Sequence, residues 1–279
     1  MDSDINNSFV FERKFTAQLP NESKWYLNGI IVHPKTDDIY VLDRGNMKLK
    51  MYSPEGEFKI KLDLIDVPHS MCYVPETEEE EGMLIITKPD KCVLEYVTTS
   101  GGKLEIRKYI MTKAKYFGIC NLGNEMIAVS SWSQLCIDIL SLDGSVIKTI
   151  DKSRIGSPLF KIPDEVPEFL SFIPEVGLVI SEAKGKVVCL KDGEFDSIKW
   201  HTTVPGPVGD ITFDKEDNSM IVCLLKSSCV LFLDRDGNEK SKLQLIENGV
   251  ERFPIAARRS SSRVFITDKS GEVLVYKLK

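Results

Sequence analysis

The sequence lacks any long apolar run. None of its hydrophobic stretches approaches the roughly 20 residues that a membrane-spanning helix needs, so we expect no membrane partner. The N-terminal segment Met1–Val10 is polar and acidic and has no basic stretch followed by an apolar one, so it does not predict a secretory signal. A net charge of −6 argues mildly against a dedicated nucleic-acid binder.

Paired cysteines are also missing. The chain has 7 cysteines, most of them inside apolar runs, and no Cys-x-x-Cys pair. This pattern predicts free buried thiols in a reducing compartment, and therefore a cytoplasmic location, instead of disulfides or a zinc site. The cysteines are Cys72, Cys92, Cys120, Cys136, Cys189, Cys223 and Cys229.

Motifs for nucleotide binding and nucleophilic catalysis are absent too. There is no P-loop, no Gly-x-Gly-x-x-Gly segment and no Gly-x-Ser-x-Gly elbow. The three histidines, His33, His69 and His201, have no neighbouring Ser or Asp signature. On the sequence alone we therefore predict no cofactor and no enzymatic activity.

A repeated unit is what the sequence does contain, and Gly29–Leu64 shows it best. Four short apolar runs are separated there by turns rich in Gly, Pro, Asn and Asp, which is typical of strand, turn, strand. The end of the second run recurs about every 44 residues, with one longer gap. These ends are Asp43, Thr87, Ser130, Ser181, Leu224 and Asp268. Four-stranded units with this period predict an all-β, six-bladed β-propeller.

A single domain is predicted over residues 1–279, because no linker or low-complexity segment interrupts the repeats. The blades are predicted at about 25–64, 67–110, 113–150, 167–202, 206–245 and 250–279. The longer gap predicts a loop insertion at Asp151–Pro167. The last blade has only three strands, and the segment Phe9–Leu19 is otherwise unassigned. We therefore expect this segment to pair with Val273–Leu278 and close the ring, which would hide both open edges.

The first blade resembles the NHL repeat. It carries Gly29-Ile30-Ile31-Val32, Ile39-Tyr40-Val41-Leu42-Asp43, Gly45-Asn46 and Pro54-Glu55-Gly56. In blades two, three and four, Thr87, Ser130 and Ser181 are interpreted as replacing the aspartate. The chain is most similar to the C-terminal propeller of tripartite-motif (TRIM-NHL) proteins. That resemblance implies recognition of a protein or RNA target, while a RING domain transfers ubiquitin. The chain has no RING pattern, so a RING domain would belong to a longer parent chain or a partner.

Basic and aromatic side chains are predicted to gather on one face, formed by the loops from second to third strands and by the links between blades. This surface is termed the mouth face. Such a face can hold phosphates and stack bases, or hold an acidic peptide, and the negative net charge favours a protein target over single-stranded RNA. The predicted ligand-binding residues are Lys24, Trp25, Arg44, Lys48, Lys88, Lys115, Tyr116, Trp132, Lys184, Lys226, Arg252, Phe253 and Lys269. Acidic runs such as Glu78–Glu81 are expected on the opposite face.

An alternative site is predicted where the inner strands begin, at Asn28, His69, Glu168 and Asp210. Carboxylates and an amide that converge on the axis suit a hard cation such as Ca²⁺. This arrangement resembles the gluconolactonase- and paraoxonase-like propeller hydrolases, which implies metal-dependent lactonase or esterase activity. Asn28, Glu168 and Asp210 would be the metal ligands. The local motifs of those families are absent, so this remains the alternative to a recognition platform without metal.

Overall fold

The computed structural model describes residues 9–24, 26–77, 81–151, 166–182, 184–247 and 249–279. Six antiparallel sheets of four strands form a ring. The first strand of each blade lies innermost, and each inner strand contacts the inner strands of the two adjacent blades, so that the last blade contacts the first. The fold is therefore the six-bladed β-propeller that the repeat predicted. Among the described residues, no helix is long and apolar enough to cross a membrane.

Each blade uses strands that follow one another along the chain, apart from the last. The strands are β2 (Leu27–Val32), β3 (Ile39–Asp43), β4 (Lys48–Tyr52) and β5 (Phe58–Asp63) in blade one; β6 (Met71–Val74), β7 (Met83–Lys88), β8 (Val93–Thr98) and β9 (Glu105–Met111) in blade two; β10 (Tyr116–Gly123), β11 (Met126–Ser131), β12 (Cys136–Ser141) and β13 (Val146–Asp151) in blade three. They continue as β14 (Pro167–Ile173), β15 (Gly177–Glu182), β16 (Lys186–Lys191) and β17 (Ile198–Thr203) in blade four; β18 (Val208–Asp214), β19 (Ser219–Leu224), β20 (Cys229–Leu233) and β21 (Glu239–Gln244) in blade five; β24 (Pro254–Ser260), β25 (Arg263–Asp268), β26 (Glu272–Leu278) and β1 (Phe9–Thr16) in blade six. A small hairpin, β22 (Ile246–Glu247) and β23 (Val250–Glu251), and two 3₁₀ turns at Pro89–Lys91 and Ser100–Gly102 complete the elements.

The N-terminal strand β1 closes the ring, as predicted. It pairs antiparallel with β26, from Phe9 opposite Leu278 to Phe15 opposite Val273. Its aromatic side chains also reach both neighbouring blades. The Phe9 ring stacks on Phe232 of blade five at 5.4 Å, and the Phe15 ring lies 5.1 Å from Tyr52 of blade one. The closing strand therefore completes one blade and packs against two others.

A β-bulge recurs near the start of the inner strand in blades one, three, four, five and six. A bulge leaves a backbone N–H outside the strand ladder, and that donor must be satisfied when it is buried. Hydroxyl groups near the end of the second strand do this. The N–H groups of Gly118, Phe169 and Ala256 donate to Ser130 Oγ, Ser181 Oγ and Thr267 Oγ1 at 2.9, 3.2 and 3.1 Å.

The strand register corrects one interpretation made from the repeat. Asp43 is the last residue of its second strand and lies opposite the first residue of the third, and Lys88 and Ser131 occupy this same position. Glu182 lies opposite Pro167 as Asp43 lies opposite Leu27. Thr87, Ser130 and Ser181 are therefore one residue short of the aspartate position. Ser130 and Ser181 are the hydroxyl residues of the bulge, and the Thr87 hydroxyl accepts from the Ser70 N–H at 3.0 Å, so none of the three replaces the aspartate.

Hydrophobic clusters fill the spaces between adjacent blades. The second and third strands supply most of their buried residues, while the fourth strands alternate between exposed and half-buried positions. All seven cysteines are free, and all except the half-buried Cys92 lie in this interior. Most of the predicted insertion Asp151–Pro167 and of the run Glu78–Glu81 lies outside the described residues.

Candidate functional site at the mouth face

The predicted basic residues of the mouth face differ in how accessible they are. Lys24, Lys184 and Lys226 are exposed. Lys115 is exposed and lies 3.7 Å from Asp90, and Lys269 donates to the Leu225 carbonyl at 2.5 Å and lies over the Phe253 ring. Lys48 is paired with Glu22 at 2.6 Å, and Arg252 with Glu272 at 2.9 Å. Trp25 is outside the described residues. The side chains that remain accessible are therefore distributed around the whole face and do not form one cluster.

Two predicted ligand residues are buried and are therefore not part of the site. Lys88 is only 1% exposed, and its ammonium group donates to the carboxylate of Glu95. Tyr116 is 3% exposed, and its hydroxyl donates to Asp138 Oδ2 at 2.5 Å. The reason is the register. Lys88 is the last residue of a second strand, where side chains point between blades, and the loop begins only at Pro89.

An apolar patch on the mouth face was not anticipated from the sequence. Its members are large exposed side chains of blades one and two and their links: Tyr26, Met47, Ile65, Val67 and Met111. Backbone hydrogen bonds hold the segments together, from Gly45 N–H to the Tyr26 carbonyl at 3.1 Å and from Leu64 N–H to the Met47 carbonyl at 2.8 Å. Ile65 is 72% exposed and Met111 74%, the two highest values among the large apolar side chains of the described residues.

Positive charge borders this apolar patch. The guanidinium carbon of Arg44 lies 5.5 Å from the centre of the Tyr26 ring, which is cation–π geometry. Lys91 lies 3.7 Å from Asp66, the residue between the two apolar residues of the blade link. The patch therefore combines an aromatic ring, thioethers, branched aliphatic groups and an arginine on the loops and links of two adjacent blades.

Aromatic rings fill the axis of the propeller at the mouth face. The His69 ring, from blade two, stacks against Phe169 of blade four at 6.0 Å. It also meets Phe117 and Trp132 of blade three edge-on at 5.1 and 5.6 Å, and those two rings stack on each other at 3.8 Å. We name these four side chains the axial cluster. It joins blades two, three and four across the axis.

Within the axial cluster His69 is neutral. Burial lowers its pKa to about 4, and the nearby Arg44 guanidinium acts in the same direction. The Nδ1 atom lies 3.3 Å from the Phe117 carbonyl, which fits a proton on that nitrogen, since a carbonyl only accepts. The Asn28 amide donates to the His69 carbonyl. Backbone and ring are both held, so His69 packs the axis as an uncharged group.

Glu168 stands beside the axial cluster, at the inner-strand position that Asn28, His69 and Phe117 occupy in the preceding blades. Burial raises the pKa of its carboxyl group to about 7, an effect that the Arg44 guanidinium partly opposes. Its backbone carbonyl accepts from Ser130 Oγ at 3.2 Å. Among the described residues, no hydrogen-bond or ion-pair partner of its carboxyl group is found. A carboxyl group with this pKa can both donate and accept a proton near neutral pH.

Gly118 allows blades three and four to approach this closely. A Cβ atom at Gly118 would lie 2.1 Å from the Glu168 carbonyl oxygen, so any other residue would push the two inner strands apart. Gly209 allows the same close approach between blades five and six, where a Cβ would lie 2.4 Å from the Ile255 carbonyl. Gly118 therefore positions the backbone that presents Glu168 to the axis.

The alternative metal-ligating set is not brought together. Asp210 is ion-paired with Arg258, and the Asn28 amide is used by the His69 carbonyl. Asp210 also stands one position further along its strand than Asn28 and Glu168 do, because Gly209 takes the equivalent place. In the part of the chain that the structure describes, no group of three His, Cys, Asp or Glu side chains could hold a metal ion. The donor set therefore does not fit an axial cation.

Solved structures share this fold. They include selenomethionine-substituted virginiamycin B lyase from Staphylococcus aureus, and a catalytically inactive variant of that lyase with quinupristin. Each is 12% identical, with a TM-score of 0.64, and the match covers 97% of this chain and 100% of that chain. The likeness shows the fold alone. No protein-family model and no curated protein matches the chain.

These neighbours correct the prediction that the chain has no enzymatic activity. That prediction was wrong as an exclusion, because propellers of the same fold include a lyase. A missing nucleophile elbow or nucleotide-binding loop therefore does not exclude catalysis here. The resemblance to NHL propellers is supported as far as the six four-stranded blades.

Proposed function

We propose that this propeller recognises a protein target through its mouth face. The apolar patch supports the proposal best, because Tyr26, Met47 and Ile65 are exposed on neighbouring loops and links that backbone hydrogen bonds join. Tyrosine, methionine and arginine are enriched at protein interfaces, and exposed apolar patches commonly mark them. Arg44 over the Tyr26 ring supplies the aromatic–arginine pair typical of residues that dominate binding energy.

The charge around the patch indicates the chemistry of the target. Lys24 is exposed on the link before blade one and Lys115 on the link before blade three. A segment with apolar side chains in its centre and acidic residues beside them would complement this surface, and the charges would mainly speed association. By its resemblance to TRIM-NHL propellers, the chain would present this target to a RING domain on a parent chain or partner.

Paired substitutions test the proposal. The immobilised protein captures targets from cytosol, and each captured protein is purified and titrated by calorimetry. Ile65→Glu places a charge in the patch, whereas Ile147→Glu does the same at an exposed position on the outer strand of blade three. We expect at least a tenfold loss of affinity for the first variant and wild-type affinity for the second. Equal affinity of both variants for every captured protein would refute the proposal.

An RNA target is the contrasting outcome. A labelled pool of single-stranded RNA is measured at about 50 and 200 mM salt, conditions between which several phosphate contacts cost roughly a thousandfold in affinity. Salt-sensitive binding that Arg44→Glu abolishes and Ile65→Glu leaves intact would replace the protein target by RNA.

A second candidate function is acid–base catalysis at the axis, and Glu168 is the observation that favours it. A carboxyl group whose pKa is raised by burial to about 7 suits a general base that activates water against a lactone or ester. The test is hydrolysis of a panel of small lactones and esters. We expect wild type to be active and Glu168→Gln to lose at least a hundredfold in kcat/KM, with a pH limb near 7. Rates equal to the uncatalysed background in wild type would remove this candidate.

A further inference from the structure

The central channel forms a cavity of about 320 Å³ on the side of the axial cluster away from the mouth face. Inner strands of all six blades line it, and Pro34, Pro75 and Lys215, which follow three of those strands, stand at its rim. Its opening is therefore on the face opposite the mouth face. Towards the mouth face, blades two, three and four carry the axial cluster, which lies across the axis on that side of the cavity.

Cationic groups line one side of this axial cavity. Arg258, Arg259 and Lys215 all face it, and no carboxylate is among the residues that line it. The two arginines are held in place from behind, Arg258 by Asp210 and Arg259 by Asp214 at 2.9 Å, and neither aspartate lines the cavity. Lys215 is exposed and has no ion pair with another described residue.

The rest of the axial cavity is apolar. Ile31, Met71, Ile119 and Leu170 line it from blades one to four. Phe172 and Phe213 add aromatic surface nearer the entrance. A ligand that fits this lining needs an apolar body and an anionic end directed at blades five and six. Pockets that bind small molecules commonly combine such walls with a few convergent polar groups.

We propose that the axial cavity binds a small carboxylate with an apolar body, such as a medium-chain fatty acid. The arginine pair would hold the carboxylate, since a guanidinium matches its two oxygens, and Lys215 would add charge at the entrance. The apolar walls of blades one to four would cover the chain of the ligand. This site is independent of the mouth face, so a failure to find a protein target leaves it unaffected.

Octanoate is the probe, and octan-1-ol is its uncharged counterpart of the same chain length. Both are titrated into the whole chain by calorimetry. We expect octanoate to bind saturably with one site per chain, and at least tenfold more tightly than the alcohol. Absence of octanoate binding, or equal affinity for the alcohol, would overturn the proposal.

Three variants locate the octanoate site. Lys215→Gln changes an exposed side chain and should weaken octanoate binding about fivefold, and Arg259→Gln about tenfold or more. Arg263→Gln is the matched control, because Arg263 is on the same blade but pairs with Glu12 at 2.9 Å on the closing strand. It should bind as wild type does. Thermal melts check that each variant folds. If Arg259→Gln does not fold, the exposed Lys215→Gln variant still tests whether octanoate binds in the axial cavity. Equal affinity of Lys215→Gln and Arg263→Gln would show that octanoate binds elsewhere.

Discussion

Blades one to three and blades four to six differ in the side chains that fill one buried position of the third strand. At one register position of the third strand, the first three blades carry Lys50, Glu95 and Asp138. The last three carry Val188, Leu231 and Leu274 at that position. All six side chains are buried between blades. The fold therefore tolerates either charge or hydrocarbon there, provided that each charge has a partner.

Lys50 and Glu95 each form an ion pair with the last residue of the second strand in their own blade. In blade one, Lys50 binds Asp43, at the end of the second strand, at 2.6 Å. In blade two, the same two positions hold Glu95 and Lys88, so that acid and base have exchanged places. Lys50 also donates to the Ala17 carbonyl and to Glu22, both at 2.6 Å. Lys50 of blade one therefore also holds the segment that follows the closing strand β1.

The largest expected effect on stability comes from removing the buried charge of Lys50 in blade one. Lys50→Met leaves Asp43 and Glu22 buried without their common cation, and we expect a loss of about 3–5 kcal/mol in the free energy of unfolding. Urea denaturation measures it. Lys61→Met is the control, because Lys61 makes an exposed pair with Asp63, and its change should stay within about 0.5 kcal/mol. Equal losses in both variants would mean that Lys50 has no special structural role.

A smaller effect is expected when blade two is converted to the pattern of blades four to six. The double variant Lys88→Met with Glu95→Leu removes both charges, and its stability should lie within about 1 kcal/mol of wild type, because burying the pair costs nearly what its attraction returns. Glu95→Leu alone should lose about 3 kcal/mol, since it leaves the Lys88 ammonium unpaired. Additive losses in the double variant would instead show that each residue acts separately.

The difference between the two halves also explains what the sequence could and could not predict. The number of blades and the closing strand follow from the period and from the missing fourth strand, which need no side-chain detail. The burial of Lys88 does not follow from the period, because the second strand of blade two runs one residue past Thr87. Counting along a repeat that contains β-bulges does not fix the register to one residue. Lysine beside a turn also looks solvated until its partner, here Glu95, is placed.

The axial site was foreseen only in part, for a related reason. Asn28, His69 and Glu168 do stand at equivalent inner-strand positions, whereas Asp210 does not, because Gly209 occupies that position in blade five and Asp210 is the next residue. The contact of His69 with Phe169 crosses the axis between blades two and four. No local pattern encodes such a contact. Likewise, Ile65 and Met111 look like ordinary strand ends, and only the assembled face shows that nothing in the described structure covers them.

The smallest expected effect concerns pH, and it compares His69 of the first half with Glu168 of the second. The folded state raises the pKa of Glu168 from 4.5 to about 7 and so binds its proton more tightly, which lowers stability as the pH rises through that interval. It lowers the pKa of His69 from 6.5 to about 4, which lowers stability as the pH falls through that interval. Between pH 4.5 and 6.5 the two slopes therefore oppose each other in wild type.

Removing one of the two groups should leave the pH dependence of stability that the other group causes. In Glu168→Gln, stability should rise with pH from about 4.5 to 6.5, and at pH 8 the variant should exceed wild type by about 1 kcal/mol, a figure reduced because Glu168 is partly exposed to solvent. In His69→Gln, stability should fall across the same interval. Urea midpoints between pH 4 and 8 measure both profiles. A Glu168→Gln profile parallel to wild type would mean that folding leaves the pKa of the carboxyl group unchanged, and acid–base chemistry at the axis would lose its main support.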